Sequence, residues 1–216
     1  MRIECKRLRG HDEPTDEYAA YTRNFLKTPV EGFSNLKVGE AFYLPMVEFI
    51  SYLHANNFKI FLVSGAEREY TRILAEILDV DSDNIIGTDY RYVATNQGDK
   101  EGMDYTFSAD DKVVRGDFVS KNINMNKVAL MTREIGKKPV LAFGNSSGDT
   151  SMFNYTLTGN KYKSLAFFVI CDDTERELGN IDKANKYTKL ADDNGWIKIS
   201  MRDDFKTIYG DNVRRN

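Results

Sequence analysis

The run Phe58-Lys59-Ile60-Phe61-Leu62-Val63 constrains the fold more than any other stretch of this chain. It is nearly continuously apolar, the pattern of a strand buried on both faces of a parallel sheet. Ser64-Gly65 breaks it. Tyr70, Ile73, Leu74 and Ile77 then recur at helical spacing from a helix that begins near Glu67. Upstream, Pro45 opens another helix with Met46, Phe49, Ile50 and Leu53 on one stripe, ended by Asn56-Asn57. Helix, strand and helix joined by tight connections is the grammar of an α/β domain.

The same alternation returns in the second half. Asn126 reads as the cap of a helix through Ile135 that Gly136 ends, and Pro139 to Phe143 reads as a strand. A helix over Thr150 to Leu157, a strand over Ser164 to Ile170, a helix over Ile181 to Asp192 and a strand over Trp196 to Ile199 complete the series. Two segments depart from it. Asp16 to Leu26 predicts a short amphipathic helix, with Thr15 as its cap and Pro29 beyond its end, followed by a loop from Val30 to Gly39. Between Ile85 and Val119, Tyr90 to Ala94 and Met103 to Phe107 predict antiparallel strands around the turn Asn96-Gln97-Gly98-Asp99, a β-hairpin excursion.

A length of 216 residues suits one domain, or one domain with a small cap. The net charge of -3 and the pI near 5.6 give neither a nucleic-acid footprint nor a membrane-surface patch. Arg2, Lys6, Arg7 and Arg9 cluster at the N-terminus and read as a solvated end. Cys5 and Cys171 lack metal-ligand spacing, which argues against zinc, and two free thiols in a reducing compartment is the simplest reading. With no signal-peptide core after Met1 and no apolar run of about 18 residues, the chain as written reads as cytoplasmic. An upstream leader in a longer product would change that.

Three places lie past a strand or at a helix start, where ligands of open parallel sheets bind. Ser64-Gly65 can hold an anionic oxygen with a hydroxyl and adjacent backbone N–H groups; a serine cap after a turn explains it as simply. Lys127 falls in the first turn of a helix, against the helix dipole, and would answer a phosphate there. A solvated lysine is the plain alternative, and Lys121 competes for the role. The loop Gly144-Asn145-Ser146-Ser147-Gly148-Asp149 crowds oxygen-bearing side chains, with Asn145 and Asp149 as hard ligands suited to Mg2+. Arg68 and Arg72, on the helix after Ser64, would meet a substrate anion or simply face solvent.

In that order, Ser64, Lys127 and the Gly144–Asp149 loop with Met152 resemble motifs two, three and four of the haloacid dehalogenase superfamily, in its phosphoserine-phosphatase-like branch. The resemblance spans about residues 40 to 200. It implies a Rossmann-like α/β core of parallel sheet flanked by helices, and Mg2+-dependent hydrolysis of a small phosphorylated substrate. Ser64, with Gly65 and Arg68, would bind the phosphoryl group, Lys127 would neutralise its charge, and Asp149 with Asn145 would hold the metal. Such catalysis is positioning plus electrostatics around an aspartate nucleophile.

Two departures qualify this. Asn145 stands where the family has an aspartate, and the D-x-D motif after an early buried strand is absent. Asp79-Val80-Asp81 and Asp81-Ser82-Asp83 follow a helix and read as an acidic turn. The expectation is therefore an N-terminally truncated phosphohydrolase domain, inactive as this chain, with Mg2+ weak or absent. The alternative is a non-catalytic binding or interaction protein of the same fold; a phosphonate or haloacid hydrolase is a third reading. Residues 1–38 would be an arm and cap remnant, and residues 39–216 the core. The family's missing strand lies between those ending near Val63 and Phe143. These two should pair directly, accept Arg2 to Leu8, or recruit a second copy as a homo-oligomer.

Overall fold

The computed structural model describes residues 14–216. Helix α1 (Thr15–Phe25) leads into a two-residue strand, β1 (Phe33–Ser34), and helix α2 (Leu44–Ala55). Strand β2 (Leu62–Glu67), helix α3 (Arg68–Ile77), strand β3 (Ile85–Ala94) and strand β4 (Val113–Ser120) follow. The second half alternates as α4 (Met125–Glu134), β5 (Leu141–Gly144), α5 (Thr150–Leu157), β6 (Leu165–Ile170), α6 (Ile181–Asn194) and β7 (Ile197–Ser200). A short strand, β8 (Arg214–Arg215), pairs back on β1. This is the mixed α/β architecture the apolar runs imply. No helix of the described residues is long and apolar enough to cross a membrane.

Two three-stranded sheets carry the fold, in the orders β2-β3-β4 and β5-β6-β7. The second is wholly parallel, with Leu141 opposite Leu165 and Phe167 opposite Ile197. Strand β3 serves two purposes: its first half runs parallel to β2 and its second half antiparallel to β4. One apolar core joins the sheets. Ile86 of β3 packs with Leu130 and Met131 of α4, Phe153 of α5, Phe168 of β6 and Trp196, and Val63 of β2 lies against them. The rings of Phe153, Phe168 and Trp196 meet edge to face, with centroids 4.9–5.8 Å apart, an arrangement that adds to what area burial alone supplies. Helix α1 closes a second cluster through Phe25 and Leu26, against Tyr70 and Ile73 of α3.

Several expectations shift. The first core strand runs over Leu62–Glu67 rather than Phe58–Val63, because its partner begins only at Ile85, opposite Leu62. Phe58 is consequently left exposed. The excursion exists, but its returning strand is β4, not Met103–Phe107. Met103 is 90% exposed in a 3-10 turn. Asp111 organises the long connection by accepting from Ser108, Thr95, Asn96 and Tyr105. Hydrogen bonding led by the Ser108 N–H holds its carboxyl well below the usual carboxylate range. Helix α4 is entered through Asn124, in the left-handed region at φ 51°, rather than capped by Asn126, whose side chain donates to the Lys121 carbonyl.

Strands β2 and β5 do not pair with each other. Among the described residues each has one hydrogen-bonded neighbour, β3 and β6 respectively, and direct closure, one of the three expected outcomes, does not occur. Arg2 to Leu8 lies outside the described residues.

Candidate functional site

The first half of β2 and the loop that follows β5 come together at Lys127. Its ammonium donates to the Val63 carbonyl at 2.5 Å and to Asp149 Oδ1 at 2.6 Å, tying α4 to both sheets. Both side chains of this ion pair are 7% exposed. A cation in the first turn of a helix is disfavoured by the helix dipole, and burial adds a desolvation cost. The pair is retained because each charge answers the other.

The loop after β5 is wound around the same carboxylate. Asp149 Oδ2 accepts from the backbone N–H groups of Asn145 and Ser146 and from the Ser146 hydroxyl, each at 3.1 Å. Gly144 permits this closeness, since a Cβ there would fall 2.6 Å from Asp149 Oδ2. Asn145 is exposed. Burial, with the charge of Glu177, pushes the Tyr43 hydroxyl up to about 12.

Ser64 directly follows the carbonyl that Lys127 holds, and its hydroxyl oxygen accepts from the Ala66 N–H at 3.0 Å. Ser64, Lys127, Asp149 and Asn145 therefore share one edge of the fold. Of the two lysines left open by the sequence, Lys127 is buried and Lys121 is exposed. Arg68 does not join the constellation. Its guanidinium spends all five donors on Asp89, Glu134 and the Ile85 carbonyl, and those hydrogen bonds, led by Glu134, raise its pKa. Arg72 likewise engages Glu69 and the Ser82 carbonyl.

Asn122 is the residue that sequence reasoning passed over. It is fully buried, and its amide donates to the Ser64 carbonyl at 2.9 Å and the Ile86 carbonyl at 3.1 Å. Its backbone N–H reaches Thr88, whose hydroxyl donates to the Gly65 carbonyl. Asn122 thus fixes the Ser64-Gly65 segment against β3. Its place in a polar loop resembles ordinary turn chemistry, and only its distant partners reveal it. Asn122→Leu should leave two buried carbonyls without this donor. A loss of about 2–4 kcal/mol is expected, read as a lower urea midpoint at unchanged slope.

These residues do not fit a divalent cation. Among the described residues no three His, Cys, Asp or Glu side chains gather as metal ligands. Both oxygens of the one carboxylate at the site are engaged, one of them by an ammonium.

Fold and site together define an α/β domain with a buried lysine–aspartate pair between β2 and the loop after β5. Among solved structures, the chain is similar to a phosphoserine phosphohydrolase-like protein from Francisella tularensis subsp. tularensis SCHU S4, at 19% identity and a TM-score of 0.37. The match covers 59% of this chain and 50% of that one, so the chain spans about half of that structure's length. No family model matches the sequence, and no curated protein does.

Proposed function

We propose that the chain is a phosphohydrolase domain of the haloacid-dehalogenase-like kind whose site binds the phosphate of a small molecule without hydrolysing it. The observation that carries this reading is the buried Lys127–Asp149 pair between β2 and the loop after β5, held on the carbonyl of Val63, which precedes Ser64. Lys127 uses two of its three N–H donors on Val63 and Asp149, which leaves one for an oxyanion. The Ser64 oxygen accepts from Ala66, so its own O–H is free to donate. The remaining Lys127 N–H and the Ser64 O–H, carried on neighbouring segments, would suit a tetrahedral anion.

Turnover asks for more. Among the described residues Lys127 pairs with Asp149 alone, and the sequence lacks the D-x-D motif that supplies the family's attacking aspartate. Losing one member of a concerted catalytic unit costs about as much as losing the unit. The purified chain is expected to release no phosphate from p-nitrophenyl phosphate above the rate of its Asp149→Asn variant, with or without Mg2+. It should bind inorganic phosphate, followed by 31P line width, and lose that binding in Lys127→Gln. Steady turnover abolished by Asp149→Asn would defeat the non-catalytic half of the reading. Absence of phosphate binding would defeat the other half.

A further inference from the structure

We propose that Lys127 is the resident counter-ion of Asp149 and keeps divalent cations off the Asn145–Asp149 loop, so that anion binding at this edge needs no Mg2+. The inference deepens the phosphate reading and rests on it for its second clause. It starts from the occupancy of one carboxylate. Asp149 Oδ1 faces the Lys127 ammonium at 2.6 Å, and Oδ2 takes three donors from Asn145 and Ser146. The other oxygen ligand of the loop, the exposed Asn145 amide, is neutral and supplies no charge to replace the one that Asp149 has committed to Lys127.

Mg2+ demands near-octahedral oxygen geometry and is usually held by one or two carboxylates plus substrate phosphate. To enter here it would have to displace the ammonium from Asp149 and from the Val63 carbonyl at once. The displaced lysine would be left buried without its partner, which is far costlier than leaving the pair intact. If the ammonium stayed, two like charges would share one buried oxygen in a medium that screens them poorly. Either route disfavours the metal. The single positive charge already in place can do the electrostatic work on an incoming oxyanion.

The test uses Mn2+ as the probe, with free Mn2+ followed by its EPR signal. The wild-type chain should show no saturable site at millimolar Mn2+. Lys127→Met, and Lys127→Gln as a gentler variant that keeps a hydrogen-bond donor, should gain a one-to-one site at least about tenfold tighter. A wild-type site of unit stoichiometry that disappears in Asp149→Asn would overturn the proposal, as would folded Lys127→Gln taking up no more Mn2+ than wild type. In parallel, the 31P line width of inorganic phosphate is compared in EDTA and in Mg2+. Equal binding in both supports metal-independent recognition, and binding that appears only with Mg2+ overturns it. If phosphate binds in neither condition while the Mn2+ results stand, the phosphate reading fails and metal exclusion by Lys127 holds.

Discussion

Lys127→Met is expected to lower the melting temperature by about 6–20 °C. Removing one partner of a buried ion pair costs about 3–5 kcal/mol, because the other charge is left uncompensated. For a domain of this size, each kcal/mol moves the midpoint by roughly 2–4 °C. Lys127 and Asp149 are each 7% exposed, so solvent screening gives little relief. Asp149 also orders the Asn145-Ser146 segment by accepting from both backbone N–H groups and from the Ser146 hydroxyl. The loss should therefore include that loop and not the pair alone. Adding Asp149→Asn to Lys127→Met removes the stranded charge and keeps an acceptor for the loop, and should restore a large part of the stability. Calorimetry of the wild type, both single variants and the double variant closes the cycle. A single variant that melts within about 2 °C of wild type, well under the cost of a broken buried pair, would show that water reaches the pair in solution.

The sequence was most informative where local physics and tertiary context agree. Thr150–Leu157 is read to the residue, and β6 and β7 are placed within about one residue, as strongly patterned segments should be. Ser64, Lys127 and Asp149 were legible as candidates because each breaks a local preference: a hydroxyl at a strand's end, a cation in a helix's first turn, a loop dense in oxygen. Their convergence is expected from their shared place past strands or at helix starts; the sequence does not show its means, the reach of Lys127 from α4 to the Val63 carbonyl and to Asp149. The errors have the same physical origin. Met103–Phe107 alternates as a strand does, yet no strand of the described residues pairs with it, and the carboxylate of Asp111 holds that segment as a loop instead. Arg68 looked available on a helix face. Its partners Asp89 and Glu134 come from β3 and α4, 21 and 66 residues away in the chain.

The sheet edges that face Lys127 lead to the other large expected effect. A parallel strand inside an α/β domain is normally paired on both sides and covered on both faces. Here β6 meets that description, lying between β5 and β7 with Phe168 fully buried. β2 and β5 do not. Among the described residues each pairs on one side, and every residue of β2 is only partly buried. The apolar helix α2 shows the same deficit: it carries Met46, Val47, Phe49 and Ile50, and Leu53 alone is buried. Backbone groups left unpaired in such a setting template association with another chain. Hydrogen–deuterium exchange at high dilution should therefore show β2 and β5 exchanging at least about a hundredfold faster than β6, as expected for segments that open locally rather than with the whole fold. Raising the protein concentration should slow exchange in β2 and β5 selectively, and sedimentation should register a mass above 24.7 kDa in step with it. Protection in β2 and β5 equal to that of β6 in a dilute monomer would mean that the edges are already satisfied within one chain, and the association argument would fall.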